Sequence, residues 1–229
     1  GRGGDQAVVR EGKKVTYYGG KTNSIEKNTR VKARVKAHAL RELLESTDNV
    51  LIMGHKISDV DAIGAAVGIF AAARVFDKKA SIVLNTVTST LQPVVDLYKN
   101  SPDYEKDLFV TSEEALAKVT ANTLLVVVDV NKKSYTECPE ILRKTDYICV
   151  FDHHRQTNDV IENTVLSYIE PYASSACEMV AEMLQYIADD IKITSIEANS
   201  MYAGIIAERF RENLQRPFYI KYPRTFANS

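Results

Sequence analysis

The chain has 229 residues, 45% of them hydrophobic, and its 29 basic and 30 acidic side chains leave a formal net charge of −1. That is material for one sizeable globular domain, or for one and part of another. The near-neutral balance gives no electrostatic ground for duplex nucleic acid or a membrane surface as a primary partner, and no apolar run approaches the roughly 18 residues of a spanning helix.

Residues 1–29 are rich in Gly, Lys, Thr and Asn and predict one strand, Lys14–Tyr18, followed by a turn at Gly19-Gly20. They read as a lead-in; a nucleotide-binding glycine loop would need a strand–loop–helix setting that is missing here. Thr29–Glu45 predicts an amphipathic connecting helix. Val31, Val35, Leu40, Leu43 and Leu44 fall near helical spacing, with Arg30, Lys32, Arg34, Lys36 and Arg41 around them and His38 at the surface.

The run Val50–Met53 stops at Gly54 and is followed by His55, Asp59 and Asp61 within seven residues, then by the small apolar stretch Ala62–Phe70. Strand, polar turn and closely packed helix are the expected order. Ala80–Asn85 predicts the next strand, making a right-handed βαβ crossover. Gln92–Asn100 predicts a short helix with Pro93 in its first turn. Ser112-Glu113-Glu114 after Phe109-Val110 predicts a helix start with acidic residues at the positive end of the dipole. Leu124–Val130 is a second buried-strand run and ends in Asp129. Pro139 opens a helix ending near Lys144. Tyr147–Phe151 is a third run, closing on Asp152-His153-His154-Arg155. Near-continuous β-branched runs fit central parallel strands covered on both faces, so the expected fold is a doubly wound α/β sheet.

In such sheets ligands bind beyond the carboxyl ends of the strands. If the three strands are neighbours, His55, Asp59, Asp61, Asp129, Asp152, His153 and His154 gather at one edge, including three of the four histidines. Each has a plain structural alternative: Asp59 or Asp61 alone would cap the following helix, and tandem histidines are common on surfaces. Together they form a carboxylate cluster that repels itself unless cations neutralise it. Hard nitrogen and oxygen donors suit Mn2+, Mg2+ or Zn2+. Cys138, Cys149 and Cys177 are odd in number and unclustered, which fits a reducing compartment.

GHKISDVDAIGAA, VVVDV and VFDHHR resemble the first three motifs of the DHH phosphoesterases, over about Asn49–Glu208, and SSACEMVAEML (Ser174–Leu184) is similar to the helix that follows the triplet in that family. Within the family the wording is nearest to the cyclic-di-AMP phosphodiesterases, and Gly1–Val9 resembles the tail of the degenerate GGDEF domain that precedes their DHH domain. The resemblance implies a remnant of that domain and a linker over 1–28, a connecting helix over 29–48 and the DHH domain over 49–229. Two divalent ions, Mn2+ first and Mg2+ or Co2+ as alternatives, are implied: His55, Asp59 and Asp129 on one, Asp61, Asp129 and His153 on the other. Asp152 would orient a neighbouring imidazole. His154 would meet the scissile phosphate or protonate the leaving oxygen, and Arg155, Ser174 and Ser175 would contact substrate. The fourth motif departs from the family, with Glu208 where an Asp is expected; Arg224-Thr225-Phe226 is similar to a family element normally nearer that point.

The start at Gly rather than Met suggests an excised piece. The family's usual glycine-rich C-terminal substrate domain is not recognisable, so weak activity or none is one expectation for this fragment. The expected reaction is opening of cyclic-di-AMP to linear pApA, by a homodimer whose full-length form lies on the cytoplasmic side of a membrane through upstream segments. The alternatives are a related DHH hydrolase of short oligonucleotides, pAp or pyrophosphate, and a non-catalytic module that senses metal or nucleotide.

Overall fold

The computed structural model describes residues 6–11, 14–19, 22–189 and 191–215, with side chains over 30–189 and 191–211. An antiparallel hairpin, β1 (Gln6–Glu11) and β2 (Lys14–Gly19), precedes the long helix α1 (Thr22–Ser46). The Gly1–Val9 resemblance begins outside the described residues, as does all of Arg224–Phe226.

From there strands and helices alternate: β3 (Asn49–Met53), α2 (Val60–Val75), β4 (Lys79–Val83), α3 (Gln92–Lys99), β5 (Phe109–Val110), α4 (Ser112–Lys118), β6 (Thr123–Val128), β7 (Tyr147–Asp152), β8 (Leu166–Ile169), α5 (Ala176–Ile187) and α6 (Ser195–Gln215). The six strands β3–β8 form one all-parallel sheet in the order β5-β4-β3-β6-β7-β8. The apolar runs work as expected, each splitting its side chains between two faces. Val50, Ile52, Leu124, Val126, Val128, Cys149 and Phe151 join a core with α1, α2, α3, α5 and α6. Leu51, Met53, Leu125, Val127, Ile148 and Val150 face the other side, which α4 and a 3-10 turn at Pro139–Arg143 cover. A strand buried on both faces has no solvent side to make polar, hence the unbroken runs.

The chain leaves β3 toward β4 and β5, then returns to β6 on the opposite side of β3. This reversal of direction is the topological switch point, where a crevice opens at the carboxyl ends of β3 and β6. The helix after β3 is buried nearly all round, because it lies between the sheet and the pair α5 and α6. Glycines make that possible: a Cβ on Gly64 would lie 2.9 Å from both Cys177 Sγ and the Ser200 carbonyl oxygen.

Several local expectations change. The stripe of α1 that packs inward is Ala33, Ala37, Leu40 and Leu44, while Val31 and Val35 are exposed; small alanines let α1 sit close against α5, which the bulkier valines would prevent. The segment at Pro139 is a five-residue 3-10 turn, too short to propagate as an α-helix. Strand β8 is not foreshadowed in the sequence, since Leu166–Ile169 is short and mixed in polarity. Glu208 lies within helix α6.

Candidate metal centre

The crevice is a cleft of about 340 Å³ lined by His55, Asp59, Asp129, Asn131, Lys132, Tyr135, Asp152, His153, His154, Arg155, Glu208 and Arg211. Five segments deliver these groups. The turn after β3 brings His55 and Asp59, the end of β6 brings Asp129, and the end of β7 brings Asp152 to Arg155. The loop after β6 supplies Asn131 to Tyr135, and α6 supplies Glu208 and Arg211.

Asp129 is the hub. It is buried, and its backbone sits in the left-handed region at φ 59°, a conformation Asp tolerates better than most residues. Its N–H donates to the Phe151 carbonyl oxygen at 2.9 Å, tying the end of β6 to β7. The two carboxylate oxygens then face different imidazoles: Oδ2 is 3.5 Å from His55 Nε2 and Oδ1 is 3.3 Å from His153 Nε2. Asp59 Oδ1 lies 3.8 Å from His55 Nε2, and Asp61 Oδ2 lies 3.8 Å from His153 Nε2. These gaps are longer than good hydrogen bonds. Donors about 2.1 Å from a shared ion stand about 3–3.6 Å apart, so the two Asp129 separations suit cation coordination and the 3.8 Å gaps lie just beyond that range. Asp129 Oδ1 has no hydrogen-bond partner despite its burial. His55, Asp59 and Asp129 form one group able to hold a metal, and Asp129, His153 and His154 form another. The donor set is therefore a fit for hard divalent cations.

Two carboxylates also serve the fold. Asp59 is the N-cap of α2, Oδ1 accepting from the N–H groups of Asp61 and Ala62 at 3.0 and 3.1 Å, so the capping and metal readings of this residue coexist. Asp61 is buried and reaches across to α5, where its oxygens accept the N–H groups of Ala176 and Cys177, both at 2.9 Å. An anion at a helix N-terminus is favourable, and each carboxylate oxygen keeps a second lone pair.

The charge balance shows in the titrating groups. Burial works against a charged His55, but its contacts with Asp129 and Asp59 outweigh it and push the imidazole up to about 9. Burial likewise works against a charged His153, but Asp129 and Asp61 hold this half-buried imidazole up to about 9. Burial, then the Asp129 charge, pushes Asp61 up to about 7. Asp59 and Asp129 are held below the usual carboxylate range despite burial, Asp59 chiefly by His55 and Asp129 by His153 and His55.

His154 is half exposed. Asp152 Oδ1 accepts from its ring at Nδ1, at 2.8 Å, and from its main-chain N–H at 3.1 Å. This contact raises the imidazole above its ordinary value and leaves Nε2 for the cleft. Asp152 is in turn held by Asn131, whose Nδ2 donates to Asp152 Oδ2 and to the His154 carbonyl oxygen. On α6, Arg211 donates to Asp59 Oδ2 and pairs with Glu208 Oε2, both at 3.0 Å. A Cβ on Gly204 would meet the Val60 carbonyl oxygen at 3.0 Å, so α6 crosses the first turn of α2 backbone to backbone.

Ser175 does not reach the cleft: it is buried as the N-cap of α5, accepting from the Glu178 N–H. Ser174 instead bonds the Glu178 carboxylate. Asn131, Lys132, Tyr135 and Arg211 line the cleft without having been singled out in the sequence. Asn131 lies two residues beyond the Asp129 hub, which is the one signal that points to it.

A parallel α/β sheet with a carboxylate–imidazole cluster at its switch point is the frame of a protein whose side chains could hold divalent cations. The model of the DHH family, N-terminal domain, matches residues 49–205, and the chain belongs to that family. It is 44% identical over 213 residues to the cyclic-di-AMP phosphodiesterase GdpP of Bacillus subtilis (strain 168) and 39% identical over 211 residues to the cyclic-di-AMP phosphodiesterase PdeA of Listeria monocytogenes. Each match covers 91% of this chain and 32% of the relative, so the chain spans about a third of these relatives' length. Among solved structures, an exopolyphosphatase-related protein from Bacteroides fragilis has the same fold, with a TM-score of 0.63 at 19% identity over 77% of this chain and 50% of that one.

Proposed function

We propose that this chain is the catalytic half of a metal-dependent phosphodiesterase that opens cyclic-di-AMP to linear pApA. One observation carries the reading: the two oxygens of Asp129 face two separate imidazoles, each backed by a further aspartate. His55, Asp59 and Asp129 would hold one cation, and Asp61, Asp129 and His153 a second, with Glu208 beside it. Such a pair supplies Lewis acidity to phosphoryl oxygens and makes water a stronger nucleophile at neutral pH. The likeness to GdpP and PdeA supports the substrate and reaction.

His154 would act as the general acid. Asp152 fixes its Nδ1, so the imidazolium presents Nε2 to the cleft. As the bond from water oxygen to phosphorus forms and the P–O3′ bond breaks, the Nε2 proton passes to the leaving 3′ oxygen, and the proton shed by the attacking water goes to solvent, from which the imidazole is recharged. Arg155 and Lys132 line the same cleft and offer positive charge to phosphate oxygens. Asn131 keeps Asp152 from turning away, since Asp152 has no other side-chain donor than Asn131 and His154 among the described residues.

The test is a calorimetric Mn2+ titration of the chain and of Asp129→Ala, with conversion of cyclic-di-AMP to pApA followed by chromatography. Two Mn2+ sites in the wild type, both lost in Asp129→Ala together with turnover, are expected. Metal uptake and turnover that survive Asp129→Ala would refute the bridging role.

A further inference from the structure

Resting on the metal-centre reading, we propose that Tyr135 is the platform on which the nucleobase of the reacting nucleotide stacks. The cleft divides by chemistry. Its floor is the aspartate–histidine cluster, its rim carries Lys132, Arg155 and Arg211, and among the described residues that line it Tyr135 is the one Phe, Tyr or Trp. A phosphate belongs on the floor and rim. The base attached to it needs a flat apolar surface, and Tyr135 is that surface.

Tyr135 keeps 46% of its area exposed, unusual for an aromatic side chain beside a buried cluster. One side of the ring lies over His55, the planes 14° from parallel and the centroids 5.9 Å apart. The backbone is pinned on both sides: the Lys56 N–H donates to the Tyr135 carbonyl oxygen at 2.9 Å, the Tyr135 N–H donates to the Lys132 carbonyl oxygen at 3.1 Å, and Thr136 bridges to His55. The ring is thus pre-positioned relative to a metal-facing imidazole, so little ordering is lost when a ligand arrives. The cleft's volume of about 340 Å³ stands at the low end for small-molecule sites. Stacking on an aromatic ring tolerates any base, so Tyr135 selects nucleotides over bare phosphates without choosing among bases.

The experiment measures AMP and inorganic phosphate binding by calorimetry on Mn2+-loaded protein, in the wild type and in Tyr135→Phe, Tyr135→Leu and Tyr135→Ala. Leu keeps apolar cover over His55 but has no π face. AMP is expected to bind more tightly than phosphate in the wild type and in Tyr135→Phe. It should weaken about 5- to 150-fold in Tyr135→Ala, and nearly as much in Tyr135→Leu, with phosphate affinity unchanged throughout. AMP binding that is no tighter than phosphate, or that survives Tyr135→Ala, overturns the proposal. So does a parallel loss of AMP and phosphate, which would mean that the ring acts through His55. A wild type that takes up no Mn2+ would instead overturn the metal centre itself, so the two failures are separable.

Discussion

Replacing Asp61 separates its role as an anchor for α5 from its proposed role as a metal-facing carboxylate. The buried side chain accepts the N–H groups of Ala176 and Cys177, so Asp61→Ala leaves two buried donors without a partner. Asp61→Asn is isosteric, also uncharged, and keeps one carbonyl oxygen with two lone pairs. Comparing the two variants cancels the charge, which burial and Asp129 make unfavourable. What remains is the one N–H that the Asn oxygen still satisfies and Ala does not, since the Asn NH2 cannot accept the other, about 1–3 kcal/mol. In a domain of this size that is about 2–12 °C in melting temperature. The assay is thermal unfolding by circular dichroism in EDTA, repeated with Mn2+. Asp61→Ala should melt lower than Asp61→Asn in EDTA, and Mn2+ should raise both less than it raises the wild type. If the two variants melt within 1 °C of each other in EDTA, the anchoring argument is wrong.

Three further outcomes follow from the same geometry. In EDTA the melting temperature should fall as pH rises. Asp61, His55 and His153 have folded values above their ordinary ones, so their contribution is complete below the unfolded value and is lost through about 7 for Asp61 and about 9 for the imidazoles. Saturating Mn2+ should flatten or reverse that slope between pH 6 and 9; a slope unchanged by Mn2+ would contradict ligation by the imidazoles. Gly64→Ala should destabilise by about 1–3 kcal/mol through overpacking, because its Cβ meets the Ser200 backbone as well as Cys177 Sγ at 2.9 Å, and denaturant unfolding would read this directly.

The parallel sheet was legible because strands buried on both faces must be apolar throughout, and Leu124–Val128 and Ile148–Phe151 are unbroken runs. The edge strand β8 was not, since its alternating Leu166-Ser167-Tyr168-Ile169 is too short to stand out. The gathering of His55, Asp59, Asp129, His153 and His154 was legible because all sit just past strand ends, where topology alone decides their meeting. Contributions from loops and from α6 were hidden. Tyr135 lies in a 3-10 turn and Arg211 in the last turns of a helix, and neither position carries a period that distinguishes it from a surface residue. Helical spacing also misled on α1, where Val31 and Val35 fit an apolar stripe by hydropathy but alanines were chosen for the contact by size.

The crossing of α6 over α2 at Gly204 gives the centre a mechanical gauge. Glu208 stands four residues beyond that crossing, about 6 Å along the helix axis. Its distance to the aspartates is therefore set by how closely two backbones approach, at a point that contributes no side chain of its own. One added methyl there would act as a shim, tilting the glutamate and Arg211 away together while leaving His55, Asp129 and His153 on their strands. The same methyl would press on the Asp61 backbone, 3.2 Å away, and Arg211 holds Asp59, so the aperture of the site and two carboxylates of its floor are geared to one contact.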